Sequence, residues 1–184
     1  MGVNKLLMLR PINIKEANAF VEKHHRTLGR VTGAKFAISV IEGDSSSGKT
    51  LGVVIVGRPV ARKFDNGWIA EVTRLAVRPD SKNACSMLLG AARRACKAMG
   101  YKAIQTYITD GETAVSLKAA GWKCSDHNAG DKGRTTKRAM AQRVATVKTE
   151  YTKNGWRYSP AEVAAIVALG KIKSPRRQRW AVLC

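Results

Sequence analysis

Gly43-Asp44-Ser45-Ser46-Ser47-Gly48-Lys49-Thr50-Leu51-Gly52-Val53-Val54-Ile55-Val56-Gly57-Arg58-Pro59 is compatible with two folds, and its second half chooses between them. Residues 43–50 satisfy the phosphate-loop pattern G-x-x-x-x-G-K-T at every position. That loop works only between a strand and a helix, because the first helical amides and the lysine together meet the phosphates. Leu51 to Val56 is instead apolar and rich in β-branched residues, and Pro59 closes the run, so a strand follows. The Gly/Ser-rich segment then reads as a hairpin loop, and nucleotide hydrolysis is disfavoured.

The elements on either side agree with a sheet built on this hairpin. Phe36, Ile38 and Val40 alternate as a strand before it, and Trp68 to Val77 forms another after the Asp65-Asn66-Gly67 turn. Upstream, Lys5 to Ile12 is a first strand stopped by Pro11. Asn13-Ile14-Lys15-Glu16 then opens a helix like a capping box and sets Ile14, Ala17, Phe20, Val21 and His24 on one face. Downstream, Ala84 to Met99 is helical, with Leu88, Ala91, Ala92, Ala95 and Met99 inward and Gly100 closing it. A strand over Ala103–Ile108 and a short helix over Glu112–Ala120 complete the core. Asn128–Lys137 reads as a polar linker, followed by a basic helix over Thr136–Glu150. Ser159-Pro160-Ala161-Glu162 caps a further helix, and Trp180–Leu183 offers a last strand.

Charge is the compositional outlier. The 184 residues carry 33 Lys and Arg against 13 Asp and Glu, a net +20. Residues 1–130 hold 20 basic and 10 acidic residues, whereas 131–184 hold 13 and 3, so the shorter part is far denser in charge. Such an excess repels itself unless a polyanion neutralises it, and phosphate backbone rewards Lys and Arg through counterion release. No apolar run reaches the ~18–20 residues of a membrane span, no secretory leader is evident, and Cys85, Cys96, Cys124 and Cys184 are too scattered for a disulfide framework. A cytoplasmic protein that meets nucleic acid, and no membrane, is expected. Cys124-x-x-His127 lacks the spacing of a closed zinc site, so no metal is expected.

The order strand, helix, three-stranded meander, helix, strand, short helix resembles the GNAT acyltransferases over about Lys5 to Lys123. Leu75-Ala76-Val77-Arg78-Pro79 looks like that family's fourth strand, running into the loop that holds coenzyme A pyrophosphate. Lys82, Asn83, Ala84 and Cys85, followed by Ser86, stand where the family has a glycine-rich turn. Ala114, Leu117, Gly121 and Trp122 match a later A-x-x-L-x-x-x-G-aromatic pattern. The glycines of the turn are replaced here, and Lys118 stands where a general-acid tyrosine is frequent. Within this fold the chain looks most like a phage and prophage group related to Mom. That likeness rests on His24-His25, Gly57-Arg58-Pro59-Val60-Ala61-Arg62, Glu71-Val72-Thr73-Arg74-Leu75, Asn83-Ala84-Cys85-Ser86-Met87 and Asp110. The resemblance implies an α/β (α+β) fold, a GNAT-like mixed central sheet flanked by helices, with a basic helical C-terminal extension. Residues 1–130 would be the catalytic core and 131–184 the extension.

By that resemblance the activity is transfer of a carbamoylmethyl (acetamide-like) group to the exocyclic amine of adenine, which protects phage DNA from restriction inside a bacterial host. The donor is acetyl-CoA or another acyl or aminoacyl carrier. The partner is double-stranded DNA, with tRNA as the alternative. Two other readings stay open: acetyl-CoA-dependent acetylation of aminoacyl-tRNA or protein amines, and non-catalytic nucleic-acid binding on an altered acyltransferase fold.

Candidate catalytic residues are Arg74, Asp110, Ser86, His24, His25 and Glu71. Arg74 lies mid-strand among apolar residues, where a charge must be paired, with Glu71 or Asp110, or face a cleft. Asp110 ends a strand at the carboxyl edge of the sheet, as a base or as the N-cap of the next helix. Ser86 either meets a phosphate or sits in the first turn of its helix. His24 shares an apolar face and could equally be a core histidine. Glu71 occupies a position that often supplies the base in GNAT enzymes, but strict alternation puts it and Arg74 on opposite faces unless the strand is bulged. For nucleic acid, Arg58 and Arg62 flank the sheet. Lys132, Arg134, Lys137 and Arg138 begin the extension, and Arg176, Arg177 and Arg179 end it. Trp156, Arg157 and Tyr158 interleave aromatic and basic side chains that can stack on an exposed base.

Overall fold

The computed structural model describes residues 6–25, 28–43, 48–109, 112–127, 129 and 177–184. In chain order these form β1 (Leu7–Pro11), α1 (Ile14–His24), β2 (Phe36–Glu42), β3 (Lys49–Gly57), a 3-10 turn (Arg62–Phe64), β4 (Ile69–Val77), α2 (Ala84–Ala98), β5 (Ala103–Thr109), α3 (Val115–Ala119), β6 (Lys123–Asp126) and β7 (Arg177–Leu183). The strands make one sheet in the order β1-β2-β3-β4-β5-β7-β6. Neighbours are antiparallel except β4 and β5, which run parallel. This is the mixed sheet flanked by helices that the sequence predicts. The helices expected over 136–150 and 159–170 lie outside the described residues.

Lys49 and Thr50 lie inside β3, so the phosphate-loop letters belong to a hairpin. Gly52 is there for a different reason: a Cβ would stand 2.7 Å from Val77 Cγ1, 3.0 Å from the Ala76 carbonyl and 3.1 Å from Leu88 Cδ1. β3 is buried on both faces. Val54 and Val56 pack with Leu88, Leu89 and Ala92 of α2, and Val53 and Ile55 with Ala17 and Val21 of α1. Each such side chain contributes roughly 1.5–3 kcal/mol on full burial.

Asn13 caps α1 as expected, its Oδ1 accepting from the Glu16 amide at 2.9 Å. The expected inward face needs correction at Ile14, which is exposed, whereas Asn18 is buried. The Asn18 side chain donates to the Val31 carbonyl and accepts from the Val31 amide, both at 2.9 Å, which offsets its desolvation and holds the 28–31 segment against α1. In α2, Met99 is exposed and Cys96 takes the inward place, because the helix ends at Ala98 and Gly100 turns the chain at φ 84°. Burial pushes the Cys96 thiol up to about 12. The last strand is longer than expected and sits between β5 and β6, pairing Thr106 with Trp180 and Tyr107 with Arg179. β6 has no counterpart in the sequence reading.

Candidate active site

Two irregularities in β4 build the site. Val56 pairs with Val72 and Ile55 with Arg74, so Thr73 is an extra residue on β4. Such a bulge shifts the alternation by one. Val72 therefore faces the α2 side, while Glu71, Arg74 and Ala76 all face the α1 side; the burial clusters agree, placing Val72 with α2 and Ala76 with α1. Thr73 fixes the bulge by donating its hydroxyl to the Ile55 carbonyl at 3.2 Å. The second irregularity is a parting of strands. β4 and β5 pair only from Ile69 to Glu71 against Ala103 to Gln105, although both run on to Val77 and Thr109. Thr106 Oγ1 still reaches the Val72 carbonyl at 3.2 Å, and beyond it a wedge opens between the strands.

Glu71 sits where the strands begin to part, only 3% exposed. Its Oε2 accepts from Gln105 Nε2 at 2.9 Å and from the Val60 amide at 3.3 Å. Neither donor is a cation, and burial raises the carboxyl above its usual range against those two hydrogen bonds. A carboxyl held this way binds a proton more readily than a solvated one, which suits it to general-base work.

Arg74 is half-buried, and burial lowers its pKa. It donates from Nε to the Gly29 carbonyl at 2.7 Å and from Nη1 to the Thr73 carbonyl at 2.6 Å. Of the two ion-pair partners weighed for it, Glu71 is bonded elsewhere and Asp110 lies outside the described residues. The N-cap alternative for Asp110 fails, because α3 begins at Val115 with Ala114 at its cap. Glu112 instead accepts from the Thr109 amide at 2.7 Å and from its hydroxyl at 3.0 Å.

The remaining candidates do not join Glu71. The His24 ring lies 4.4 Å from Phe20, and its pKa is lowered by burial and then by Arg78 and Lys23, with Asp80 opposing. It is a half-buried histidine near the β4–α2 connection. His25 accepts on Nδ1 from the Leu28 amide at 3.1 Å and caps α1. Ser86 donates to the Asn83 carbonyl at 3.1 Å, as a first-turn serine does.

The turn before α2 can nonetheless receive a pyrophosphate without the glycines. Asn83 adopts the left-handed conformation (φ 65°) that glycine usually supplies, and its side chain does not cap the helix. Ala84 is fully buried, so its methyl points into the core and leaves the mouth of the turn clear. Amides at the first turn of α2, with Lys82 beside them, could hold the phosphates of coenzyme A.

Sequence reasoning missed Gln105 and Tyr107. The signal was the polar run Gln105-Thr106-Tyr107 inside a central strand. Tyr107 shares the Gln105 face two residues on; burial and then the Glu71 charge raise its pKa, with Arg179 opposing, so its hydroxyl keeps its proton. Two of the predicted nucleic-acid contacts already have partners within the fold. Arg58 forms an ion pair with Asp65, its Nε 3.1 Å from Oδ2, and so brings less free charge than its position suggests. Arg179 lies over the Phe64 ring at 4.2 Å and donates to Ser125 Oγ at 3.0 Å. Arg62 is exposed on the β3–β4 connection, and Arg177 is exposed in β7. Lys132, Arg134, Lys137, Arg138, Trp156, Arg157, Tyr158 and Arg176 lie outside the described residues. Cys124 Sγ and His127 Nδ1 are 3.5 Å apart, and among the described residues no three His, Cys, Asp or Glu cluster to hold a metal. No described helix is long and apolar enough to cross a membrane.

The sequence profile of the Mom protein family matches residues 6–174. No curated protein matches the chain by sequence. Solved structures share its fold at low identity. A Bacillus subtilis acetyltransferase in complex with CoA aligns at TM-score 0.51 and 10% identity, over 98% of this chain and 99% of its own. An IAA acetyltransferase from Bacillus cereus gives 0.53 and 10%, over 97% and 100%. A ribosomal-protein alanine N-acetyltransferase from Escherichia coli gives 0.54 and 9%, over 97% and 94%. The fold is the GNAT fold.

Proposed function

The chain belongs to the Mom protein family, and from that premise we propose that it is a GNAT-fold transferase that modifies a base of double-stranded DNA, with the exocyclic amine of adenine as acceptor and a carbamoylmethyl group as cargo. One observation carries the reading: a buried carboxyl, Glu71, bonded only by neutral donors, stands at the parting of β4 and β5 with Arg74 on the same face. An exocyclic amine is a weak nucleophile whose proton must leave as the new nitrogen–carbon bond forms. Glu71 takes that proton, and its raised affinity for protons matches the task. Arg74 holds the bulge carbonyl and the 29–31 segment, which keeps a permanent positive charge beside the reaction centre. Tyr107, protonated on the same face, can return a proton to the leaving group.

The donor is an acyl or aminoacyl carrier whose cargo already holds the amide nitrogen of the carbamoylmethyl group, since acetyl-CoA alone would deliver an acetyl group. If it is a coenzyme A thioester, its pyrophosphate would lie against the Asn83–Ser86 turn; when bound it would supply the activated carbon that the amine attacks, and the carrier would leave with a proton. The net +20 charge, densest over 131–184, supports a phosphate-backbone partner. An enclosed carboxyl also requires the base to leave the stack. Protection of phage DNA inside a bacterial host follows as the biological role.

Nucleoside mass spectrometry of DNA from cells expressing the protein tests this reading directly. A heavier deoxyadenosine, absent with E71Q, is the expected result. Unmodified DNA alongside acetylated tRNA or protein amines would replace this reading with acetyl transfer to those acceptors. No modified product of any kind would leave nucleic-acid binding alone.

A further inference from the structure

The β3–β4 connection, residues 58–68, holds an apolar side chain out in water. Val60 is 80% exposed, more than any other large apolar residue among those described. The segment around it is held firmly. Pro59 is buried. Phe64 and Asp65 donate their amides to the Ala61 and Arg62 carbonyls at 2.9 and 3.1 Å, and Arg58 pairs with Asp65 across the turn. The Phe64 ring lies beneath Lys63 at 4.9 Å and Arg179 at 4.2 Å. The connection is therefore a built projection, and its tip is an apolar side chain followed by two exposed cations, Arg62 and Lys63.

The tip is also tied to the site. The Val60 amide donates to Glu71 Oε2 at 3.3 Å, so the residue that projects into solvent is the one that touches the carboxyl. Apolar side chains flanked by basic ones are what proteins insert between base steps, and a base that must reach an enclosed site has to be displaced first. We infer that the Arg58–Lys63 arm is a wedge for duplex DNA: Val60 enters the stack next to the target base while Arg62 and Lys63 hold the backbone, so the displaced base arrives at Glu71. This inference rests on the base-modification reading for its consequence, but unstacking can be measured without it.

The test compares the full-length protein with Val60→Ala and Val60→Leu. Duplex and single-stranded DNA of one sequence are scored for modified deoxyadenosine by mass spectrometry, and unstacking is followed by 2-aminopurine fluorescence in the duplex. Val60→Ala is expected to lower the ratio of duplex to single-strand modification by about tenfold and to suppress the fluorescence rise, because a lost wedge costs a share of the few kcal/mol of unstacking. Val60→Leu is expected to restore both. A ratio and a fluorescence rise unchanged in Val60→Ala would overturn the inference, as would unstacking seen only with an RNA duplex. If the wild type modifies neither form of DNA, the functional reading has failed, and fluorescence alone decides: a rise that Val60→Ala loses supports the wedge, and no rise with the wild type refutes it.

Discussion

Glu71 and Arg74 stand on the same face of the sheet because Thr73, between them, is one residue more than β3 can pair. Without the bulge the carboxyl and the guanidinium would look in opposite directions. The bulge lets one strand present both a buried carboxyl and a guanidinium on one face.

Burial raises the Glu71 carboxyl, so the folded chain holds its proton more tightly than the unfolded chain does. Stability from this group is complete below the unfolded value and is lost as pH rises through the folded one. E71Q carries no such proton. Its melting temperature relative to wild type is expected to rise as pH climbs above about 4, the ordinary glutamate range. Transfer to the base should fall about 10²-fold or more, and the loss of rate at acid pH should disappear from what remains. A thermal melt series and a pH–rate profile check the two halves separately.

Arg74 serves two carbonyls in a fixed fork. Arg74→Ala is expected to cost about 1.5–3 kcal/mol, the range for hydrogen bonds to charged groups, read from denaturant midpoints. Arg74→Lys keeps the charge but an ammonium cannot reproduce the planar fork. It should regain part of the stability while base modification stays well below wild type. Full activity in the lysine variant would show that charge alone is what the site requires.

Most of the fold could be read from the chain because it depends on patterns short enough to see. β3 is a β-branched run, α1 and α2 have helical spacing, and Pro59 separates a hairpin from a phosphate loop. The site was less legible. A bulge is set by how β3 and β4 register, which no residue within β4 announces. Gln105 joins the candidate site only because β5 pairs beside Glu71, a long-range contact, and Tyr107 follows two residues on along the same face. The histidine pair shows the opposite case, adjacency in sequence without a shared contact. His24 lies against the Phe20 ring while His25 accepts from the Leu28 amide.

Asn83 opens α2 at φ 65°, a conformation that a side chain with a plain Cβ resists. Asn83→Ala is expected to destabilise by about 1–2 kcal/mol, while Asn83→Gly should match or exceed wild type in a thermal melt. If the turn receives a pyrophosphate, the glycine variant should also keep its affinity for coenzyme A by calorimetry. A stable alanine variant would refute the strained turn.

Gly52 tests the hairpin reading. A methyl there meets Val77, the Ala76 backbone and Leu88 at once, and the backbone atom cannot swing aside. Gly52→Ala is expected to cost roughly 1–3 kcal/mol by overpacking, whereas Lys49→Ala, at an exposed strand end, should change stability little. A nucleotide-binding loop would invert the importance of the two, making Lys49 the residue whose loss abolishes nucleotide binding.

Asp65 sets how much free charge the β3–β4 connection carries, and so what it would offer the proposed DNA partner. It holds the Arg58 guanidinium, which in turn keeps the Asp65 carboxyl below its ordinary value. Each cation that displaces a counterion from duplex DNA adds about 0.9 to the slope of log affinity against log salt. Arg62, exposed on the same connection, has its charge available, whereas that of Arg58 is largely spent on Asp65. Arg62→Ala should therefore lower the slope by close to that amount and Arg58→Ala by less. Asp65→Ala should raise it, because Arg58 is released. Replacing Lys132, Arg134, Lys137 and Arg138 together should lower it further, in proportion to the phosphates they hold. Fluorescence anisotropy with one duplex over a salt series measures all four slopes. Equal losses for Arg58→Ala and Arg62→Ala would show that the ion pair opens when DNA arrives, and a slope unmoved by any of them would place the contact elsewhere on the chain.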